Sequence, residues 1–172
     1  MTACASGPAR NPTDPLESFN RNMFALNESV DKTVLKPVAE GYRAFTPYPV
    51  RAGVSNFYNN LEDAWTTLNG ILQLRPRVAA DSLMRFSVNS SLGLAGVLDI
   101  ASELGIERHS EDFGKTLGRW GTPSGPYLVF PLFGPSTLRD STTIVLENSF
   151  DPISHVDNIR TRNSLTGLRL VD

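Results

Sequence analysis

Cysteine occurs once among the 172 residues, at Cys4. No internal disulfide can form, and the usual cysteine and histidine spacings of a metal site are absent. Excess positive charge is missing as well. Sixteen Lys and Arg stand against 18 Asp and Glu, giving a formal charge of −2 and a pI of about 5.7. A nucleic-acid binder neutralises phosphates with a basic face, and no long basic run exists here, so the reading is no nucleic acid. Long apolar runs are also lacking. The most apolar stretch, Leu92 to Leu98, is seven residues long. It cannot cross a hydrocarbon layer of about 30 Å as a helix. Membrane association must therefore come from an anchor or from amphipathic faces. No two strictly alternating segments are joined by a hairpin turn, so no sheet is expected, and no internal repeat is found.

Catalytic signatures are equally scarce. Gly114-Lys115-Thr116 has the form of the tail of a phosphate-binding loop. That motif needs a glycine five residues before Gly114, and His109 stands there. Neither a nucleophile elbow nor a zinc-protease helix motif occurs. The two histidines, His109 and His155, are candidates for a small hydrolase, but His109 lies in Glu107–Asp112, a charged stretch that reads as a solvated loop. The adjacent acids Glu62-Asp63 and Glu111-Asp112 point about 100° apart on a helix and make no acid/base dyad. The chain reads as a non-enzyme without a cofactor.

Present instead are short amphipathic segments punctuated by Pro and Gly. Hydrophobic residues make up 40% and charged residues 20%, enough for a folded domain. Asp14-Pro15-Leu16-Glu17 is a helix start, with Asp14 as cap. Leu16, Phe19, Met23, Leu26 and Val30 then mark one apolar face, with Asn20 and Asn27 among the polar positions. A second helix opens at Pro37 and ends before Pro47. A third starts near Pro49 and buries Val50, Val54, Phe57 and Leu61. A separate fourth runs from Glu62 to Leu74 with Trp65, Leu68 and Leu72 on one side. Val78 to Ser90 follows with Leu83 and Phe86 inward, then two short pieces between Leu92 and Leu104. Asp112 to Trp120 is a short helix capped by Ser110 or Asp112. Helix resumes from Ser136 toward Phe150, weakened by its β-branched residues, and restarts at Asp151-Pro152. The fold class is all-α.

The two ends of this pattern raise separate questions. Thr2-Ala3-Cys4 has the form of the end of a bacterial lipobox, with Met1 where leucine is usual. Cys4 is thus either a stray thiol or a lipid attachment site. Residues 5 to 13 read as a flexible tether. Trp65, Trp120, Tyr42, Tyr48, Tyr58 and Tyr127 sit at helix ends or in Pro/Gly loops, where they suit either a membrane interface or ordinary packing.

The stretch FGKTLGRWGTPSGPYLVFPLFGPSTLRD, from Phe113 to Asp140, resembles the signature of the MlaA (VacJ) family of outer-membrane lipoproteins. DPLESFNRNMFALNE is similar to that family's first helix, and KPVAEGYRAFTPYPVRAGVSNFYNNLEDAWTTLNGILQ and LTGLRLVD are similar to later segments. The resemblance implies a ring-like single domain of short amphipathic helices over residues 14–172, with residues 1–13 as a lipoprotein tether. It implies a protein in the inner leaflet of the outer membrane, lipid-anchored at Cys4. Ala5, just after Cys4, lacks the aspartate that favours inner-membrane retention. The implied partners are a trimeric porin and the periplasmic carrier MlaC, and the implied ligand is phospholipid taken from the outer leaflet. Helices would face apolar groups to lipid and polar groups inward. The stretch Gly118 to Pro135 is expected to form a channel wall or gate. Its residues are Gly118, Trp120, Gly121, Gly125, Pro126, Tyr127, Pro131, Gly134 and Pro135, followed by Arg139. Gly121, Gly125 and Gly134 are expected at positive φ. Arg139 would pair with Asp140 or meet lipid phosphate. Thr143 stands where the family usually has glycine, and family members usually continue beyond Asp172. A structural porin-binding lipoprotein without transport is the alternative.

Overall fold

The computed structural model describes residues 15–171. The fold is an all-α single domain carrying one two-stranded hairpin. Helix α1 spans Glu17–Val30 and passes through a π-helical turn, Asp31–Leu35, into α2, Lys36–Phe45. Pro37 explains the widened turn. It has no N–H to offer the carbonyl four residues back, and its ring crowds that carbonyl. The expected cap Asp14 lies outside the described residues; α1 begins at Glu17 with no side-chain cap.

Tyr48–Leu72 is one continuous helix, α3, of 25 residues. The two helices expected on either side of Glu62 are thus one, since no Pro or helix-terminating Gly motif interrupts the chain there. A tight turn, with Leu74 at φ 55°, returns the chain into α4, Pro76–Ser91. The two helices approach closely at Gly70, where a Cβ would come within 2.9 Å of the Ala79 backbone nitrogen. Helix α5, Ile100–Glu103, follows an irregular loop containing Leu94, Ala95 and Gly96 at positive φ. Helix α6, Phe113–Arg119, is capped by Asp112, which accepts from the Lys115 N–H at 2.6 Å. Helix α7, Leu138–Phe150, is capped by Thr137. A 3-10 turn, Pro152–His155, capped by Asp151, leads to α8, Ile159–Val171.

Between α6 and α7 the chain forms strands β1, Tyr127–Phe130, and β2, Gly134–Thr137, paired antiparallel with Tyr127 opposite Thr137. The sequence reading expected no hairpin. Four-residue strands are too short to show alternation, and the connection Pro131-Leu132-Phe133 contains no Asn-Gly or Asp-Gly signal. Its bend is taken instead by Leu132 at φ 68° and Gly134 at φ 80°.

Polarity is inverted relative to a water-soluble helical domain. The face of α3 that meets α4 buries Asn60, Asp63, Thr66 and Asn69, and α4 buries Ser82, Arg85 and Asn89 against it. Buried apolar side chains among the described residues are few: Val78, Ala79, Ala101, Val129 and Ile153. Val50, Leu68 and Leu83, expected inside, are exposed, as are Phe19 and Leu26 of α1. The apolar periodicity identified the helices but not their inward faces. Buried polar groups are stabilised by hydrogen-bond partners, and most members of this stripe have one, although Ser82 Oγ and one side-chain oxygen each of Asn60 and Asp63 have none among the described residues. Here Thr116 donates to Asn69 at 2.7 Å, Gln73 donates to Thr116 at 3.0 Å, and Asn60 donates to Ser90 at 2.9 Å.

Arg85 is the hub of this interior. Its side chain and that of Asp63 are each 1% exposed. Its Nε donates to Asp63 at 3.3 Å, its Nη1 to Ser102 and the Ile106 carbonyl, and its Nη2 to both oxygens of Asp99. Burial pushes the Asp63 carboxyl up to about 6, against the pull of the Arg85 and Arg108 charges. Burial also opposes ionisation of Asp99, but hydrogen bonds from Ser102 and Asn89, with the Arg85 charge, hold it below the ordinary carboxylate value.

Candidate functional site

A cavity of about 1010 Å³ opens between α3, α7 and α8. That is at the upper end of the range of about 300–1,000 Å³ usual for ligand pockets. One part of its wall is apolar. Trp65 of α3 stacks on Phe150 of α7 with ring centroids 6.0 Å apart, and Leu61, Ile144, Ile153 and Leu170 continue the surface. Phe133 reaches it from the tip of the hairpin. The remainder is polar and charged, from Glu62, Glu147, Asp151, Arg162 and Arg169. The site is therefore amphipathic, with hydrocarbon-like and water-like surfaces side by side.

Helix α8 is held against this space by contacts to older parts of the chain. Tyr58 of α3 donates to the Leu165 carbonyl at 2.7 Å, and the Arg169 guanidinium lies 6.0 Å from the Tyr58 ring centre. Arg169 also pairs with Asp151 at 2.7 Å. Asn158 caps the helix start by accepting from the Arg160 and Thr161 N–H groups. These ties fix the α8 face bearing Arg162, Thr166 and Leu170 toward the cavity.

Every lining carboxylate has a partner within the protein. Glu62 accepts from Arg108 at 3.1 Å and from Ser110 at 2.7 Å. Glu147 accepts from the Phe113 N–H at 2.9 Å, at the start of α6. Asp151 holds Arg169 and caps the 3-10 turn through the Ile153 N–H. Arg162 is the exception on the cationic side: half-buried, it lines the cavity with no carboxylate partner among the described residues.

None of the residues expected to form a wall or gate lines this cavity, which the Gly/Pro stretch reaches through Phe133. Their backbone behaves as expected, with Gly121 at φ 95°, Gly125 at 71° and Gly134 at 80°. Trp120 and Tyr127 are exposed, as are Pro126, Pro131 and Pro135. Trp120 donates its indole N–H to the Leu72 carbonyl at 3.0 Å. Gly118 leaves room for the Arg139 guanidinium, since a Cβ there would lie 2.6 Å from Nη1. Arg139 bonds Asp140 at 2.7 Å and the Thr122 carbonyl at 3.3 Å, so it joins the glycine-rich stretch to α7. The Asp140 carboxyl is opposed by burial but held below its ordinary value by bonds from Arg139 and Thr137 and by the Arg139 charge. Cys4 lies outside the described residues.

Lys115 and Thr116 do not form a phosphate loop. Thr116 is buried against Asn69, and Lys115 donates to the Ser110 carbonyl at 2.7 Å. The charged stretch is a loop with Glu107, Arg108 and Ser110 exposed, as expected, but the His109 side chain turns inward, 17% exposed, and lies 3.0 Å from Asp81. Asp81, Glu107 and His109 offer ligand atoms within 4.8 Å of one another. Arg77 already meets Asp81 at 3.7 Å and Glu107 at 3.3 Å, which makes the group an ion-paired brace between α4 and the following loop. The cavity-facing residues of α8 were absent from the sequence reading. Arg162, Thr166 and Arg169 recur at helical spacing, the one signal that could have marked them.

The chain is similar to known proteins in both sequence and fold. Residues 12–172 match the family described as MlaA lipoprotein. The intermembrane phospholipid transport system lipoprotein MlaA of Escherichia coli K12 is 38% identical over 146 residues, covering 81% of this chain and 58% of that protein. Its Haemophilus influenzae counterpart is 34% identical over 158 residues, covering 87% and 63%. An uncharacterized protein of Rickettsia typhi is 39% identical over 135 residues, covering 78% and 54%. The chain thus spans little more than half the length of these relatives. A solved structure described as "Structural basis for maintenance of bacterial outer membrane lipid asymmetry" superposes with a TM-score of 0.79 at 33% identity, covering 92% of this chain and 81% of that one.

Proposed function

Because the chain belongs to the MlaA lipoprotein family, we propose that it forms an amphipathic conduit in the outer membrane that removes mislocalised phospholipid from the outer leaflet. The phospholipid passes on to a soluble periplasmic carrier, and lipid asymmetry is thereby maintained. The observation that carries this reading is the cavity, where a wall built on Trp65 and Phe150 adjoins a charged rim. A diacyl lipid has on the order of 30 methylenes at about 0.8 kcal/mol each, so bare desorption into water costs roughly 25 kcal/mol. Its charged headgroup is in turn costly to draw through hydrocarbon. A passage with both kinds of surface lowers both costs together.

The inverted packing supports a position within one leaflet. Exposed Phe24, Val38, Phe45 and Leu74 suit acyl chains, whereas the Arg85 interior keeps charge away from them. Among the described residues no helix is long and apolar enough to cross a membrane. On this reading residues 1–13 are the tether, Cys4 carries the lipid anchor, and residues 14–172 form a ring-like helical body beside a trimeric porin. The glycines at positive φ and the prolines around them serve as a wall or gate next to the cavity, with Phe133 as the side chain that enters it.

The test measures phospholipid in the outer leaflet of the source organism with and without the gene. Deletion is expected to raise it, wild type to restore it, and Cys4→Ala to fail. An unchanged outer leaflet after deletion would favour a structural porin-binding lipoprotein without transport.

A further inference from the structure

Arg162 combines three properties that no other cavity residue shares. It lines the amphipathic space, it is half-buried, and its charge is uncompensated among the described residues. Arg169, the other lining cation, is committed to Asp151 at 2.7 Å. Glu62 and Glu147 are likewise occupied by Arg108, Ser110 and the Phe113 N–H. The N–H groups at the start of α8 are partly taken by Asn158, so the helix terminus is not the free donor. An anion entering the cavity therefore meets one strong donor group, the Arg162 guanidinium, next to the uncommitted amide of Asn163.

A planar guanidinium matches a phosphate in a two-pronged contact, and such charge-assisted bonds are roughly twice as strong as neutral ones. We infer that Arg162 is the phosphate-reading residue of this cavity, binding the phosphodiester of a glycerophospholipid headgroup while the acyl chains lie toward Trp65 and Phe150. This rests on the conduit reading and adds the group that selects its cargo. It implies discrimination by phosphate: a diacyl lipid lacking that group would occupy the same apolar wall without the contact. Headgroups beyond the phosphate would matter less, because the lining carboxylates are already engaged and give little to an ammonium.

The experiment measures equilibrium binding of fluorescent phosphatidylglycerol, and of diacylglycerol with the same chains, to the full chain in detergent micelles. Inorganic phosphate serves as competitor. Wild type is expected to bind phosphatidylglycerol at least tenfold tighter than diacylglycerol. Arg162→Ala removes that preference and leaves diacylglycerol binding within twofold. Arg162→Lys keeps part of it as a point charge, and Arg162→Glu reverses it. Inorganic phosphate alone competes weakly because it lacks the chains. Unchanged preference in Arg162→Ala and Arg162→Glu overturns the assignment while leaving the conduit intact. Equal loss for both lipids in Arg162→Lys marks a packing role and overturns it too. Strong competition by inorganic phosphate overturns it in favour of a free-phosphate site. Failure of wild type to bind either lipid overturns the conduit reading along with it.

Discussion

The guanidinium of Arg85 lies 3.3 Å from the carboxylate of Asp63, and both side chains are closed to solvent at the junction of α3 and α4. A buried pair of this kind is costly to break from one side, because the remaining charge keeps its desolvation penalty without its partner. Arg85→Met would strip Asp63 and Asp99 of the guanidinium that both contact. We expect a loss of about 3–5 kcal/mol, read from chemical denaturation in detergent.

The same pair sets a pH dependence. The Asp63 carboxyl is raised from 3.8 to about 6 by burial, so between those values the folded protein holds a proton that the unfolded chain has lost. Stability contributed by this group is present at the acid end of the window and declines as pH rises through 6, by at most ~3 kcal/mol. Asp99, held below its ordinary value, acts oppositely, and its contribution is lost as pH falls below the unfolded value of 3.8. Unfolding midpoints at pH 4.5 and 7.5 should therefore differ less in Asp63→Asn than in wild type.

Helix α1 holds the hairpin through two asparagine amides one heptad apart. Asn20 donates to the Tyr127 carbonyl at 3.1 Å and accepts from the Val129 N–H at 2.9 Å. Asn27 repeats this with the Phe130 carbonyl at 2.9 Å and the Leu132 N–H at 2.8 Å. Val129 is buried and Leu132 is exposed. Asn20→Ala should cost about 1–3 kcal/mol by orphaning a buried N–H and should speed hydrogen exchange at Val129. Asn27→Ala should cost less, since water can replace the lost partner at Leu132.

Two helical glycines should respond differently to alanine. At Gly70 the new methyl meets the Ala79 backbone, so α3 and α4 must separate, at about 1–3 kcal/mol. At Gly118 it meets the guanidinium end of Arg139 rather than backbone, so the displacement falls on the Arg139 bonds to Asp140 and the Thr122 carbonyl, and alanine's better helix propensity offsets part of that cost. Thermal denaturation of both variants should show the first further below wild type than the second.

Gly121 and Gly125 have φ of 95° and 71°. A side chain at either costs roughly 1–2 kcal/mol in the left-handed region. Gly125→Ala adds a contact at 3.1 Å to the Leu138 Cβ, whereas Gly121 faces open space. Valine at Gly121 should thus leave a folded protein. If this stretch gates the passage, outer-leaflet phospholipid rises in that variant, and normal lipid levels with intact folding would remove the gate role.

Helix existence was legible from apolar spacing and from Pro and Gly punctuation; Asp112 was one of two candidate caps beside Ser110, and the restart at Asp151-Pro152 marks the 3-10 turn that Asp151 caps. The inward direction of each helix was not. Leu83 and Phe19 carry the periodicity that marks an inward face in water, yet Arg85 and Asn20 occupy the interior. Periodicity measures segregation of polar from apolar side chains and carries no sign. The α3 break expected at Glu62 arose from treating two apolar patches as two helices, when a buried polar stripe from Asn60 to Asn69 runs continuously beneath both. The hairpin escaped because its bend rests on Leu132, a residue with no turn preference. The Gly/Pro stretch drew attention by composition, whereas the cavity depends on α3, α7 and α8 meeting at long range.

An interior built from Asn60, Asp63, Thr66, Asn69, Arg85 and Asn89 also governs how this protein responds to temperature. Hydration of apolar surface raises the heat capacity of an unfolded chain, and hydration of polar surface lowers it. Unfolding here releases mainly polar groups from the interior. The heat-capacity increment should fall below the usual ~12–15 cal/mol/K per residue, giving a broad, shallow stability curve with little tendency to cold denaturation.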